Sequence, residues 1–421
     1  MFSKRFLVLL STILPLLVAI ALLDGLRPSA AVAAPVAIIT VDTLLDESDG
    51  SCVDGDCSLR DAIATANSGD DIEFNVAGII TLASELDVAQ NVTINGGGVI
   101  TVSGNNASRV FKVTSNWVMF DGLTIADGND ESTDCFNDSC AGAIMIMTSG
   151  ADSLIVNSRI VNNSGKYGGA VHNSFGSTMV ISNSTFVDNA GDFGGGLLNK
   201  GTLTIDSSTF ISNTATWDGG GLMNNDGATI TINNSTFSHN SADSGGGISN
   251  YDHDVFINNS TITQNHADTE GGGVGSYGDG FTHTTIANTI VSSNTVGAGT
   301  PDDVSLLVNA TDSFISGGHN LIGAVGAGIS AFSDGVNGDQ IGLVDPKLSP
   351  LADNGGATLT HALLPGSPAV DMGDPNYPVQ TGDYDQRGDG FDRVVNGRLD
   401  IGSYELPTHT AYTIFLPLIT K

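Results

Sequence analysis

The chain is poor in positive charge: 14 lysines and arginines stand against 46 aspartates and glutamates in 421 residues, a net charge of −32. Such a surface repels phosphate backbones and anionic headgroups, so nucleic acid and anionic membrane surfaces are excluded as partners and cations become the natural counter-ligands. Aromatics are only 6% of residues and prolines number 12, beside 54 glycines, a composition unlike that of a compact α/β enzyme. Long apolar runs are missing too, except at 6–23, which follows Lys4 and Arg5 and precedes an A-x-A at 31–33. That order is a secretory signal peptide over 1–33, with an uncleaved anchor as the alternative. Cleavage would remove Lys4, Arg5, Arg27 and Asp24, leaving 11 basic and 45 acidic residues and a net charge of −34. No span of a membrane is expected after cleavage.

Cysteines are few: Cys52 and Cys57 form one close pair and Cys135 and Cys140 another. In an exported chain these read as disulfides. Two local bridges are the expected pairing, crossed connectivity stays open, and no histidine stands near either pair to make a zinc site.

What is present is one short paragraph written five times between residues 166 and 294. Its lines are KYGGAVHN (166–173), DFGGGLLN (192–199), WDGGGLMN (217–224), DSGGGISN (243–250) and TEGGGVGS (269–276). Corresponding residues recur 24 to 28 apart, as in Asn173, Asn199, Asn224, Asn250 and in Phe186, Phe210, Phe237, Ile262, Ile290. Such a period means stacked repeats. Runs such as TLTIDSSTF (202–210) alternate, are β-branched and end in turn residues, which is strand chemistry. A unit of about 25 residues is too short for a propeller blade of roughly 40. The expected fold is therefore all-β: a right-handed parallel β-helix of about ten coils over 79–330. Phenylalanines and asparagines would then stack coil on coil, with the glycine triplets at corners that need positive φ or close backbone approach.

Ahead of the coils, SLRDAIATAN (58–67) predicts a short helix with Ser58 as N-cap and Leu59, Ile63 and Ala66 on one face, suited to covering the first coil within a cap at 34–78. CSLRDAIATANSGDDIEFNVAGIITL (57–82) is similar to the CSLREA-type N-terminal segment of secreted bacterial β-helix proteins, with Asp61 in place of glutamate. Toward the C-terminus, Asp353-Asn354-Gly355-Gly356, Gly366-Ser367-Pro368-Ala369, Asp371, Gly373, Asp385-Gln386-Arg387-Gly388 and Asp400-Ile401-Gly402 closely resemble the choice-of-anchor Q domain. The resemblance implies a C-terminal domain over 331–406; its Arg387, Arg393 and Arg398 stand among Asp385, Asp389, Asp392 and Asp400, and buried pairing between them would fold an irregular cap. The apolar tail 407–421 resembles a surface-sorting signal, and a final docked strand explains it equally well. The GGA/GGG and FxxN pattern is also similar to polymorphic outer membrane proteins, which are adhesins.

Chemistry is harder to place. Asp192, Asp218, Asp243 and then Asp268 or Glu270 precede successive glycine corners, and in register they would stack about 5 Å apart and favour Ca²⁺. A lyase would need a basic partner there, but these coils hold only Arg159, Lys166 and Lys200. A hydrolase would need two facing carboxylates roughly 5 to 9.5 Å apart, for which Asp188 with Asp192, or Asp192 with Asp218, are the candidates. Tyr167, Phe193 and Trp217 could form a strip for sugar rings. The histidines are scattered across rows at no metal-ligand spacing. The expectation is a secreted or surface-displayed bacterial protein, monomeric, adhesive or glycan-binding, whose partner is an extracellular polysaccharide or a host or neighbouring cell surface. The alternative is a polysaccharide lyase or glycoside hydrolase.

Overall fold

The computed structural model describes residues 36–53, 55–130, 140–278, 280–307, 311–342 and 345–407. The signal-like segment, Cys135 and the apolar tail from 408 lie outside them.

The chain is a parallel β-solenoid. One coil runs through Leu197–Asn199, Thr202–Asp206, Thr209–Ile211 and Thr214–Asp218 before Leu222–Asn224 begins the next. Stacking gives three sheets of 20, 9 and 8 strands. The 20-stranded sheet, here sheet A, takes two strands per coil, joined by a left-handed bend at Ser207 (φ 50°) and its equivalents Asn183, Asn234 and Asn259. Sheet B, with nine strands, follows the glycine corner, and sheet C, with eight, precedes it.

Each row in the repeat becomes a column along the rod. Phe186, Phe210 and Phe237 are fully buried and stack at 4.5 and 4.7 Å. Ile160 precedes them and Ile262 follows. The column then continues through Val291 and not Ile290, because Ile262 pairs with Val291. Ile290 is shifted one residue, to the opposite face of the strand.

Asparagines build two buried ladders. In one, Asn173, Asn199 and Asn224 each donate Nδ2 to the next coil's Oδ1, at 2.7, 2.9 and 3.1 Å, ending on Asn250. In the other, Asn163, Asn189, Asn213, Asn240, Asn265 and Asn294 do the same at 2.8–3.0 Å, and the last donates to Asp303. A coil turn leaves backbone groups unpaired in the interior, where an orphan costs about 1–3 kcal/mol. These amides satisfy them: Asn213 also donates to the Phe186 carbonyl at 3.0 Å.

The glycines do two jobs. Gly219 is left-handed (φ 69°), while a Cβ on Gly220 would stand 2.4 Å from the Gly246 carbonyl oxygen of the next coil.

The expected helix is α1 (Leu59–Thr65), and Ser58 accepts from the Asp61 amide as its N-cap. Its Leu59, Ala62 and Ile63, with Ala66, join the core beside Val41, Ile72 and Ile80. The far end is closed by 325–341, where Phe332 packs on Phe314 and Val325, Ile329 and Ile341 lie against the core. Of the irregular segment 331–406 expected to close this end, the residues up to 341 do so, whereas the unit 345–406 lies along the flank of sheet A. Leu363, Ala369, Ile401 and Tyr404 cover Ile290 and Leu321. Thr209, Thr236 and Thr261, from the same column, bond to Leu359, Gln386 and Ser403. Inside the unit, Arg387 pairs with Asp385 at 2.6 Å and stacks against Phe391 and Tyr404. Arg393 and Arg398 serve backbone carbonyls rather than the expected aspartates.

Cys52 is bonded to Cys57, which excludes crossed pairing, and Cys140 is also in a disulfide. Among the described residues no helix is long and apolar enough to cross a membrane.

A corner of rings and carboxylates between sheets C and B

The positions of Asp192, Asp218, Asp243, Asp268 and Glu270 follow from the lengths of their strands in sheet C. Between ladder asparagine and first corner glycine there are four residues in Ser164–Tyr167, Ala190–Phe193 and Ser241–Ser244, but five in Thr214–Asp218 and His266–Glu270. Both ends of each strand are pinned, so the extra residue is taken up as a register irregularity before the corner. Counting therefore runs back from the glycine. The residues next to it form one column, Tyr167, Phe193, Asp218, Ser244, Glu270.

This splits the expected acid row. Asp218 and Glu270 belong to that column, whereas Asp192 and Asp243 precede it by one residue and take the other side of the strand. Asp188 stands apart again, exposed at a left-handed turn (φ 55°). Among the described residues no three of His, Cys, Asp or Glu come together as a metal-binding group. The expected Ca²⁺ row and the Asp188–Asp192 and Asp192–Asp218 pairs are thus distributed over separate columns.

The aromatic strip is altered by the same irregularity. Tyr167 and Phe193 stack at 5.5 Å with planes 10° apart. Asp218, not Trp217, continues their column, and Trp217 is left 53% exposed. A second pair, Tyr251 and Tyr277, stacks at 5.7 Å at the end of sheet B. Tyr251 donates its hydroxyl to Asp218 at 3.1 Å, bridging the two edges of the corner. Between the edges the outward residues of sheet B, Leu198, Met223 and Ser249, are buried as a floor.

Burial pushes the Asp218 carboxyl up to about 6, the Tyr251 bond opposes the shift and the Asp243 charge adds to it. Burial and the nearby carboxylates raise the Tyr251 phenol, so it stays a hydrogen-bond donor. The corner thus offers exposed ring surface at Trp217, ring edges, and a carboxylate that accepts hydroxyl protons. Tyr251 and Tyr277 escaped the sequence reading because only Tyr251 follows a ladder asparagine; the other follows Ser276. Their common distance of 26 residues was the available signal.

No protein-family model and no curated protein matches the chain. Among solved structures it is similar to the crystal structure of pectate lyase Pel9A, at 13% identity over 89% of this chain and 98% of that one, with a TM-score of 0.43. Likeness at that level carries no argument about activity, and the solenoid stands on its own strand register.

Proposed function

We propose that the protein is a secreted or cell-surface β-helix protein of a bacterium that binds neutral glycan chains along the sheet C–sheet B corner without cleaving them. The observation that carries this reading is the Tyr251–Asp218 bridge, set between two stacked ring pairs and next to exposed Trp217. Rings and hydroxyl acceptors repeating at the coil spacing, about 4.8 Å, suit an extended chain of sugars. The acids at the corner disfavour polyuronates. Export is supported by the signal-like segment, the disulfides and the acidic charge. On this reading 57–82 is a CSLREA-type segment, 345–406 a choice-of-anchor Q-like unit, and the tail a surface-sorting signal or a docked strand.

The test is retention of the mature chain on immobilised neutral polysaccharides, with reducing ends and unsaturated products assayed in parallel. Retention without new ends is expected, and Trp217→Ala should weaken it several-fold to tenfold, the loss of a ring contact of roughly 0.5–1.5 kcal/mol. Product formation abolished by Asp218→Asn would replace this reading with the hydrolase or lyase alternative.

A further inference from the structure

A second site lies on the other side of the coil, where the C-terminal unit stops short. The outward column of sheet A runs Thr101, Thr124, Arg159, Thr185, Thr209, Thr236, Thr261, Ile290, Leu321. From Thr209 onward it is covered by the docked unit. Just beyond that edge, a cleft of about 360 Å³ opens between the coil flank and the loop 353–359. Arg159 lines it, the single charged member of the column, exposed and with no hydrogen bond or ion pair among the described residues. An arginine left unpaired in a chain of net charge −32 is unusual, because acids abound to neutralise it. Its neighbours in the cleft are Asn157, Asn183, Thr185, Thr358 and Asp353. Asn157 spends its amide nitrogen on Asp121 at 2.9 Å.

We infer that this seam cleft is a binding site for a sugar carrying a single carboxylate, a uronic acid residue, with Arg159 as its anchor. A guanidinium matches a carboxylate with two parallel hydrogen bonds. Asp353 would repel a second acid group but accepts hydroxyl protons, and the exposed amide of Asn157 and the side chain of Asn183 suit the remaining sugar hydroxyls, whereas the Thr358 hydroxyl is held by the Ser207 carbonyl and Gln386. The volume falls at the lower end of small-molecule sites, roughly 300–1,000 Å³. Long-range repulsion from the acidic chain selects for one uronate over a polyuronate. The site draws on part of the DNGG motif, Asp353 and Gly356, so the docked unit supplies one wall. The inference is independent of the corner.

Calorimetry on the mature chain at low salt tests it, using methyl glucuronide and methyl galacturonide as probes and the matching neutral methyl glycosides as controls. At least one uronide should bind at least tenfold more tightly than its neutral partner. Arg159→Gln should abolish that preference, Arg159→Lys should keep part of it, and Trp217→Ala should leave it unchanged. Because Arg159 is exposed, neither replacement should shift the melting temperature, and a shift would show that the residue is structural. Absence of uronide heat, or binding indifferent to Arg159→Gln, overturns the inference and leaves the corner reading untouched. Loss through Trp217→Ala alone would move uronide binding to the corner.

Discussion

Asn213 shows what a ladder residue contributes. It is fully buried, accepts from the Asn189 backbone amide and side chain, and donates to Asn240 and to Phe186. Alanine there would remove this partner from the Asn189 donors and the Phe186 carbonyl on the preceding coil, each orphan costing about 1–3 kcal/mol, while Asn240 Oδ1 keeps the Asn213 backbone amide. Asn213→Ala should therefore lower stability by roughly 2–4 kcal/mol in urea denaturation, while exposed Thr216→Ala on the same coil changes it by less than about 0.5 kcal/mol. Equal effects would show that the ladder is ornamental. Asp218 illustrates the opposite use of burial. Its cost is retained at a corner where its carboxylate holds Tyr251 in place.

Among the elements, the docked C-terminal unit depends on one side chain above others. Gln386 is buried; its Nε2 donates to the Ser208 and Leu359 carbonyls and to the Thr209 and Thr358 hydroxyls, and its Oε1 accepts from Thr236. The bonds to Ser208, Thr209 and Thr236 stitch the unit to two successive coils of the flank, and those to Thr358 and Leu359 tie it together internally. Gln386→Ala should loosen it by about 2–3 kcal/mol. The expected readout is faster amide hydrogen exchange and protease cutting within 345–406 while the coil array keeps its protection. Uniform loss of protection would mean that unit and solenoid unfold together. The seam cleft would widen with the loosened unit, since that unit supplies one of its walls.

For the whole molecule, acidity sets a pH window. Burial pushes Asp206 and Asp303 up to about 6, as it does Asp218, and Glu405 up to about 8. A carboxyl whose folded value exceeds its unfolded one binds protons more readily when folded. Its contribution is then most favourable at low pH and is lost as pH rises through the folded value. His361 is held down by burial at the docking seam, where it bonds Ser238 at 3.0 Å. Its share is present above the ordinary histidine value, about 6.5, and lost below it. Between pH 9 and about 6.5 the acids act alone, so the urea midpoint should rise as pH falls through that interval, and Glu405→Gln should flatten the slope. A falling midpoint would contradict this balance.

The five-fold repeat determined the solenoid by itself. Residues spaced one coil apart must stack once strands pair in parallel, so Phe186, Phe210, Phe237 and the asparagine rows were legible before any coordinates. So was α1, since Ser58, Asp61 and the Leu59–Ile63–Ala66 stripe are local signals. Register in sheet C was legible in principle, because counting back from the glycines separates Asp192 from Asp218, but alignment by residue type hid it. Only the tertiary structure decided where the C-terminal unit sits. Its docking joins Gln386 to Thr209 and Thr236 across about 150 residues or more of chain. Nothing periodic marks such a contact, because irregular segments bury themselves by shape and hydrogen-bond matching. The same docking, which covers the column up to Thr209, two coils from Arg159, is what places that arginine in the wall of a cleft.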